Sequence, residues 1–123
     1  MLARSAAACS CAPPPPPKQA LEAATAVFSG KVVEIKPGKQ PFAPRQVSFE
    51  VDRSFKGIDG RRVVVATAAD SAMCGYAFQQ GKNYLVYCCG DKKSLSTNIC
   101  TRTKGMEAAG EDLKDLGEGK KPQ

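Results

Sequence analysis

The run QVSFEVDRSF, residues 46–55, carries the plainest structural signal in the chain. Val47, Phe49 and Val51 fall on one side, and Ser48, Glu50 and Asp52 fall on the other. Period-two alternation marks a strand with one face in a core and one in water. Ahead of it, KPGKQPFAP (36–44) is dense in proline and glycine and reads as a loop. Before that loop, AVFSGKVVEI (26–35) is a second strand candidate, apolar at Val27, Phe28, Val32, Val33 and Ile35. Gly30 in its interior points to a bulge or a sharp bend.

On the other side, KGIDG (56–60) turns the chain into RRVVVAT (61–67), a further strand. A long connection follows over 68–80, then strands at NYLVYC (83–88) and, after a turn at 90–93, at 95–99. Helical patterns flank the set. KQALEAAT (18–25) has good helix formers behind Pro17, a residue suited to a first turn. In MEAAGEDLKDL (106–116), Met106, Ala109, Leu113 and Leu116 line one stripe. Five short strands separated by turns predict a mostly β fold, and the five-stranded Greek-key OB-fold barrel is the natural candidate. It would carry a short N-terminal helix and a C-terminal helix. A small sandwich fits the same pattern.

With 123 residues the chain is one domain with one modest core, and lacking tryptophan it must build that core from Val, Leu, Ala, Phe and Tyr. The net charge of +6 is scattered over Arg61-Arg62, Lys92-Lys93 and Lys120-Lys121, which describes a solvated surface and not a nucleic-acid footprint. No stretch approaches the ~20 apolar residues of a transmembrane helix. There is no histidine, so the commonest general base and metal ligand are missing. Glu50 and Asp52 sit on a polar strand face, and Ser10 and Ser71 have no base near them in sequence. The reading is a non-enzyme without cofactor, and a monomer that works through a protein partner.

Six cysteines in so short a chain favour an oxidising, extracytoplasmic setting: secreted, periplasmic or cell surface. The most telling pair is Cys9-Ser10-Cys11, followed by Ala12 and the prolines Pro13 to Pro17. A disulfide wants its Cβ atoms about 3.5–4.5 Å apart in one torsion, so cysteines one residue apart more naturally reach two different partners. The proline run is stiff and cannot donate backbone hydrogen bonds. The segment therefore reads as a rigid strap stapled twice to the body. Ala6-Ala7-Ala8 before Cys9 forms an A-x-A cleavage pattern, although only eight residues precede the cysteine. Residues 1–8 thus read as a signal-peptide remnant or an added tail, 9–116 as the domain and 117–123 as a disordered tail. A lipidation motif would also end in cysteine but prefers a Leu-like residue where Ala6 stands. A zinc site from Cys9, Cys11, Cys88 and Cys89 departs from the usual Cys-x₂₋₄-Cys spacing. Cys88 and Cys89 are strand neighbours and point to opposite faces, so at least one is expected to stay a free thiol while the other fills core.

The ordered set of Cys-Ser-Cys-x-Pro, the Val-Phe-x-Gly-Lys-Val strand, Ser71-Ala72-Met73-Cys74-Gly75-Tyr76, Tyr84-Leu85-Val86 and Thr97-x-x-Cys100 resembles the N-terminal domain of the tissue inhibitors of metalloproteinases, within the netrin-module family. The nearest likeness is to compact, bacterial-type single-domain members. The resemblance spans roughly 9–116 and implies an OB barrel with bridges Cys9–Cys74 and Cys11–Cys100. It also implies an inhibitory ridge of Cys9, Ser10, Cys11, Ala72, Met73 and Cys74. In such inhibitors a mature N-terminal cysteine offers its α-amine and carbonyl oxygen to the catalytic zinc of a metalloproteinase. The zinc belongs to the partner, and the chain binds no metal alone. The next residue, here Ser10, enters the specificity pocket, and Ala72-Met73 flank it. The alternative is a non-inhibitory extracytoplasmic module that binds protein or glycan, or serves a structural role. Cys88 and Cys89 stand where the family has small or apolar residues.

Overall fold

The computed structural model describes residues 9–123; the A-x-A triplet and the cleavage expected after it lie outside the described residues. Six strands form in chain order: β1 (Ala26–Lys36), β2 (Arg45–Lys56), β3 (Arg62–Thr67), β4 (Asn83–Asp91), β5 (Ser94–Ser96) and β6 (Lys104–Gly105). Helix α1 (Pro17–Ala23) precedes them, and α2 (Gly110–Leu116) follows. The sheet runs β1-β2-β3-β5-β4, and β4 pairs back onto β1 to close a barrel. All the barrel pairings are antiparallel except β3 with β5, which are parallel at Ala66 and Ser96. This is an OB-fold-like barrel, and the sandwich alternative is set aside by the closure.

The alternation in 46–52 lands as expected: Val47, Phe49 and Val51 are buried, with Phe49 wholly enclosed. Inside the barrel Phe49 meets Phe28 and Phe78 edge to face at 5.1 and 5.2 Å, and Phe78 meets Tyr84 at 4.8 Å. A second apolar layer lies outside the barrel wall. There Val27, Leu85 and Tyr87 pack with Ala109, Leu21, Ala24, Met106, Leu113 and Leu116. The helices thus cover the outer faces of β1 and β4. Buried on both sides, these two strands carry apolar runs instead of alternation. Gly30 sits at a register shift opposite Val51, where a Cβ would come 2.7 Å from the Glu50 carbonyl oxygen. The strand bends there because the backbones approach closely.

Several boundaries differ from expectation: β4 runs on to Asp91, past the expected 88, α1 ends at Ala23, and the short β6 adds a sixth strand to the five expected. The stripe over 106–116 packs as read, but the segment is broken: Met106–Ala108 is a 3₁₀ turn, and α2 starts only at Gly110. Gly110 within the pattern weakens a continuous helix. Strand β5 stops at Ser96, short of the expected 99, because the chain turns away to bring Cys100 to the strap. The segment 117–123, read as a disordered tail, is tied to the barrel. Lys120 and Ser54 exchange both backbone hydrogen bonds at 2.8 Å, and the Gln123 amide donates to the Asp59 carbonyl at 3.2 Å. Past Glu50, β2 has left β3, and the tail takes up the edge so exposed.

Candidate functional site: the stapled strap and the Cys74 loop

The loop after β3 is shaped by its own polar groups. The Asp70 carboxylate accepts from the Met73 amide at 3.1 Å, and its carbonyl accepts from Gly75 at 2.9 Å, wrapping Ser71–Met73 into a 3₁₀ turn. Cys74 ends the turn at φ 68°, a left-handed conformation uncommon for a residue with a Cβ. Gly75 follows because a Cβ there would collide with the Ala68 carbonyl and lie 2.8 Å from that of Asp70. The result is a tight knuckle that projects Ala72 and Met73 into solvent, with Met73 40% exposed although apolar.

Against this knuckle lies the strap. Cys9 is bridged to Cys74 and Cys11 to Cys100, each pair with Cα atoms 5.1 Å apart. The two bridges touch: Cys9 Sγ is 3.7 Å from Cys100 Sγ. Cys9, Cys11 and Cys100 hold their sulfurs within 4.8 Å of one another, but each is already bonded in a bridge and offers no thiolate to a metal. Ser10 between the staples is exposed. The structure therefore brings Cys9, Ser10, Cys11, Ala72, Met73 and Cys74 into one surface patch.

Two residues set the mutual position of the loops that receive the bridges. Thr67, buried at the end of β3, accepts from the Tyr76 amide at 2.9 Å and donates to the Thr97 carbonyl at 3.0 Å. The Ile99 amide donates to the Cys74 carbonyl at 3.0 Å, which fixes Ile99, 40% exposed, beside the knuckle. Ile99 adds an apolar side chain to the patch that sequence reading did not include. Nothing in its local pattern announces it, because the contact depends on a hydrogen bond to a residue far away in sequence.

Below the proline run sits a charged centre, also missed. Asp112 on α2 is fully buried and accepts four hydrogen bonds. Arg102 gives two, Nε to Oδ2 at 2.8 Å and Nη2 to Oδ1 at 2.9 Å; Lys104 Nζ gives one at 2.6 Å and the Tyr87 hydroxyl one at 2.6 Å. Burial alone would raise the Asp112 carboxyl, but these donors outweigh it and hold it well below the usual carboxylate range. The Tyr87 hydroxyl is pushed upward, by burial first and then by its bond to Asp112. Arg102 moves up as well, chiefly through its hydrogen bonds to Asp112, so it stays charged. Its Nη1 reaches the Pro15 carbonyl at 3.3 Å and so pins the strap from beneath. A trace was present in the sequence: Asp112 falls three residues after Ala109, on the apolar stripe of the helix.

Cys88 and Cys89 are both free thiols. Cys88 fills the barrel interior, and burial, with a smaller contribution from Cys89, pushes its thiol up to about 12. Cys89 is exposed on the outer face. A four-cysteine zinc site is therefore not assembled: Cys9 and Cys11 are bridged, and Cys88 points the other way.

No helix among the described residues is long and apolar enough to cross a membrane. No curated protein matches the chain. A family model described as tissue inhibitor of metalloproteinase matches residues 7–108, which takes in the strap, the knuckle, both bridges and the whole barrel. The chain belongs to the tissue inhibitor of metalloproteinase family.

Proposed function

We propose that the protein inhibits a zinc metalloproteinase through the Cys9 α-amine and carbonyl oxygen, with Ser10 entering the specificity pocket and Ala72-Met73 bordering it. The observation that carries this reading is the exposed Ser10 held between two bridges beside the projecting knuckle. A strap fixed twice before binding loses little ordering entropy when it docks. An amine and a carbonyl oxygen on one residue can take the zinc position that the hydrolytic water needs. The amine must be free and neutral. A terminal α-amine has a reference pKa of about 7.7–8.0, so deprotonation costs little near neutral pH. A Cys9 nitrogen still joined to Ala8 is an amide, with its lone pair delocalised, and does not ligate. The reading therefore includes an extracytoplasmic mature form that begins at Cys9. Met73 and Ile99, both exposed, would supply apolar contact to the partner.

The test compares three proteins on a panel of zinc proteases: one starting at Cys9, the same with Ala8 restored, and Ser10→Gly in the Cys9 form. Expected is inhibition by the first, its loss on adding Ala8, and altered selectivity with Ser10→Gly. Equal behaviour of the Cys9 and Ala8 forms, whether active or inactive, favours a stapled module that binds its partner without chelation.

A further inference from the structure

Cys89 shares the strand parity of Leu85 and Tyr87, so its side chain leaves the barrel on the face that α1 and the strap cover. On that face lies an apolar hollow of about 180 Å³. Pro14 and Pro15 of the strap wall it on one side and Ala20, Ala23 and Ala24 on another, while Cys89 and Cys100 also line it. Cys100 is half of the bridge that holds the second staple. Cys89, a free cysteine, and Cys100, one half of a bridge, thus border the same small space, as does the buried Cys88, while Cys11, the other half of the bridge, does not line it.

We propose that Cys89 is an internal exchange partner for the Cys11–Cys100 bridge. The Cys89 thiolate attacks Cys100 Sγ; the new Cys89–Cys100 bond forms as the Cys11–Cys100 bond breaks, and Cys11 leaves as thiolate and takes up the proton that Cys89 gave up. One disulfide replaces another, so no oxidant or reductant is consumed. Cys88 does not compete, because its side chain is in the barrel core. Cys100 lies in the surface turn after β5, where its amide donates to Asn98 Oδ1 at 2.8 Å. After exchange the strap keeps the Cys9–Cys74 bridge and the Arg102–Pro15 contact but loses its second staple. Ser10 would then lie between the Cys9–Cys74 bridge and the single Arg102–Pro15 hydrogen bond, with no staple beside it at Cys11, which makes the thiol a switch for how rigidly the ridge is presented. The exchange does not depend on what the ridge binds.

The test uses the intact oxidised protein with neither oxidant nor reductant added. Samples are held at about pH 6 and at about pH 8, quenched with acid, alkylated, and mapped by non-reducing digestion and mass spectrometry. A Cys89–Cys100 peptide with alkylated Cys11 should appear, and faster at the higher pH, because a thiolate and not a thiol is the attacking species in exchange. It should be missing from Cys89→Ser and retained in Cys88→Ser. Cys89 alkylated throughout with Cys11–Cys100 intact in every molecule would overturn the proposal. So would Cys89 found joined only to a second copy of the chain.

Discussion

Asp112 ties α2 to the rest of the molecule, and it does so from within an apolar stripe. Its four donors come from β4 and from the two basic residues around Thr103, so it joins α2 to the barrel and, through Arg102, to Pro15. Breaking a buried ion pair by removing one partner typically costs about 3–5 kcal/mol, because the remaining charge is left uncompensated. Asp112→Asn should fall at the lower end of that range, since Lys104 is 25% exposed and can turn to water, whereas Arg102 at 12% cannot easily follow. Denaturant unfolding of the two proteins measures the difference. The pH dependence has a definite sign. A carboxyl held low in the folded state stabilises it fully above the unfolded value of about 3.9 and loses that contribution as acid carries the pH below it. Native stability should thus fall from about pH 4 downward, and Asp112→Asn should flatten that slope. Asp112 also lies beyond the residues 7–108 matched by the family model, so this anchor is attached to the matched barrel from outside it.

At the scale of the element, the Cys74 knuckle shows how a loop of small residues becomes rigid. Asp70 satisfies two amides, Cys74 accepts the left-handed backbone, and Gly75 lets the chain pass under the Ala68 carbonyl. Gly75→Ala would force the loop outward, and overpacking of this kind costs about 1–3 kcal/mol. A lower melting temperature with shifted amide signals for Ser71–Met73, but not for the α2 residues, is the expected result. Changes spread evenly over the whole chain would argue that the knuckle is not an independent rigid unit. The paired strands β1 and β4 illustrate the converse. Their apolar runs look less strand-like than β2, yet they form the most buried wall of the molecule because helices cover their second face.

Taken whole, the molecule is a barrel with a strap fixed at Cys9 and Cys11 to two of its loops. The bridges span sequence separations of 65 and 89 residues, so each closes most of the chain into a loop. In the chain-entropy view such long closures restrict the unfolded state strongly, and losing one from a small domain costs about 2–5 kcal/mol. The double variant Cys11→Ser, Cys100→Ser should be destabilised by that amount in urea unfolding, while Cys89→Ser should lie within about 0.5 kcal/mol of the parent as an exposed substitution. A double variant as stable as the parent would mean that the Arg102–Pro15 contact and the remaining bridge already hold the strap.

Residue patterns alone determined the strands around 46–52, the bend at Gly30, the apolar stripe of 106–116 and the opposed directions of Cys88 and Cys89. These follow from local periodicity and backbone sterics, which act over a few residues and are written in consecutive letters. The likeness of the Cys-Ser-Cys start and the SAMCGY loop to a known family supplied the barrel topology and the bridge partners, which spacing alone left among many pairings. Only the tertiary structure placed Ile99 beside Cys74, gave Asp112 its cations, docked the tail on the free edge of β2 and brought Cys89 and Cys100 to one hollow. Each depends on groups distant in sequence meeting across the closed barrel, and a meeting of that kind leaves no period to read.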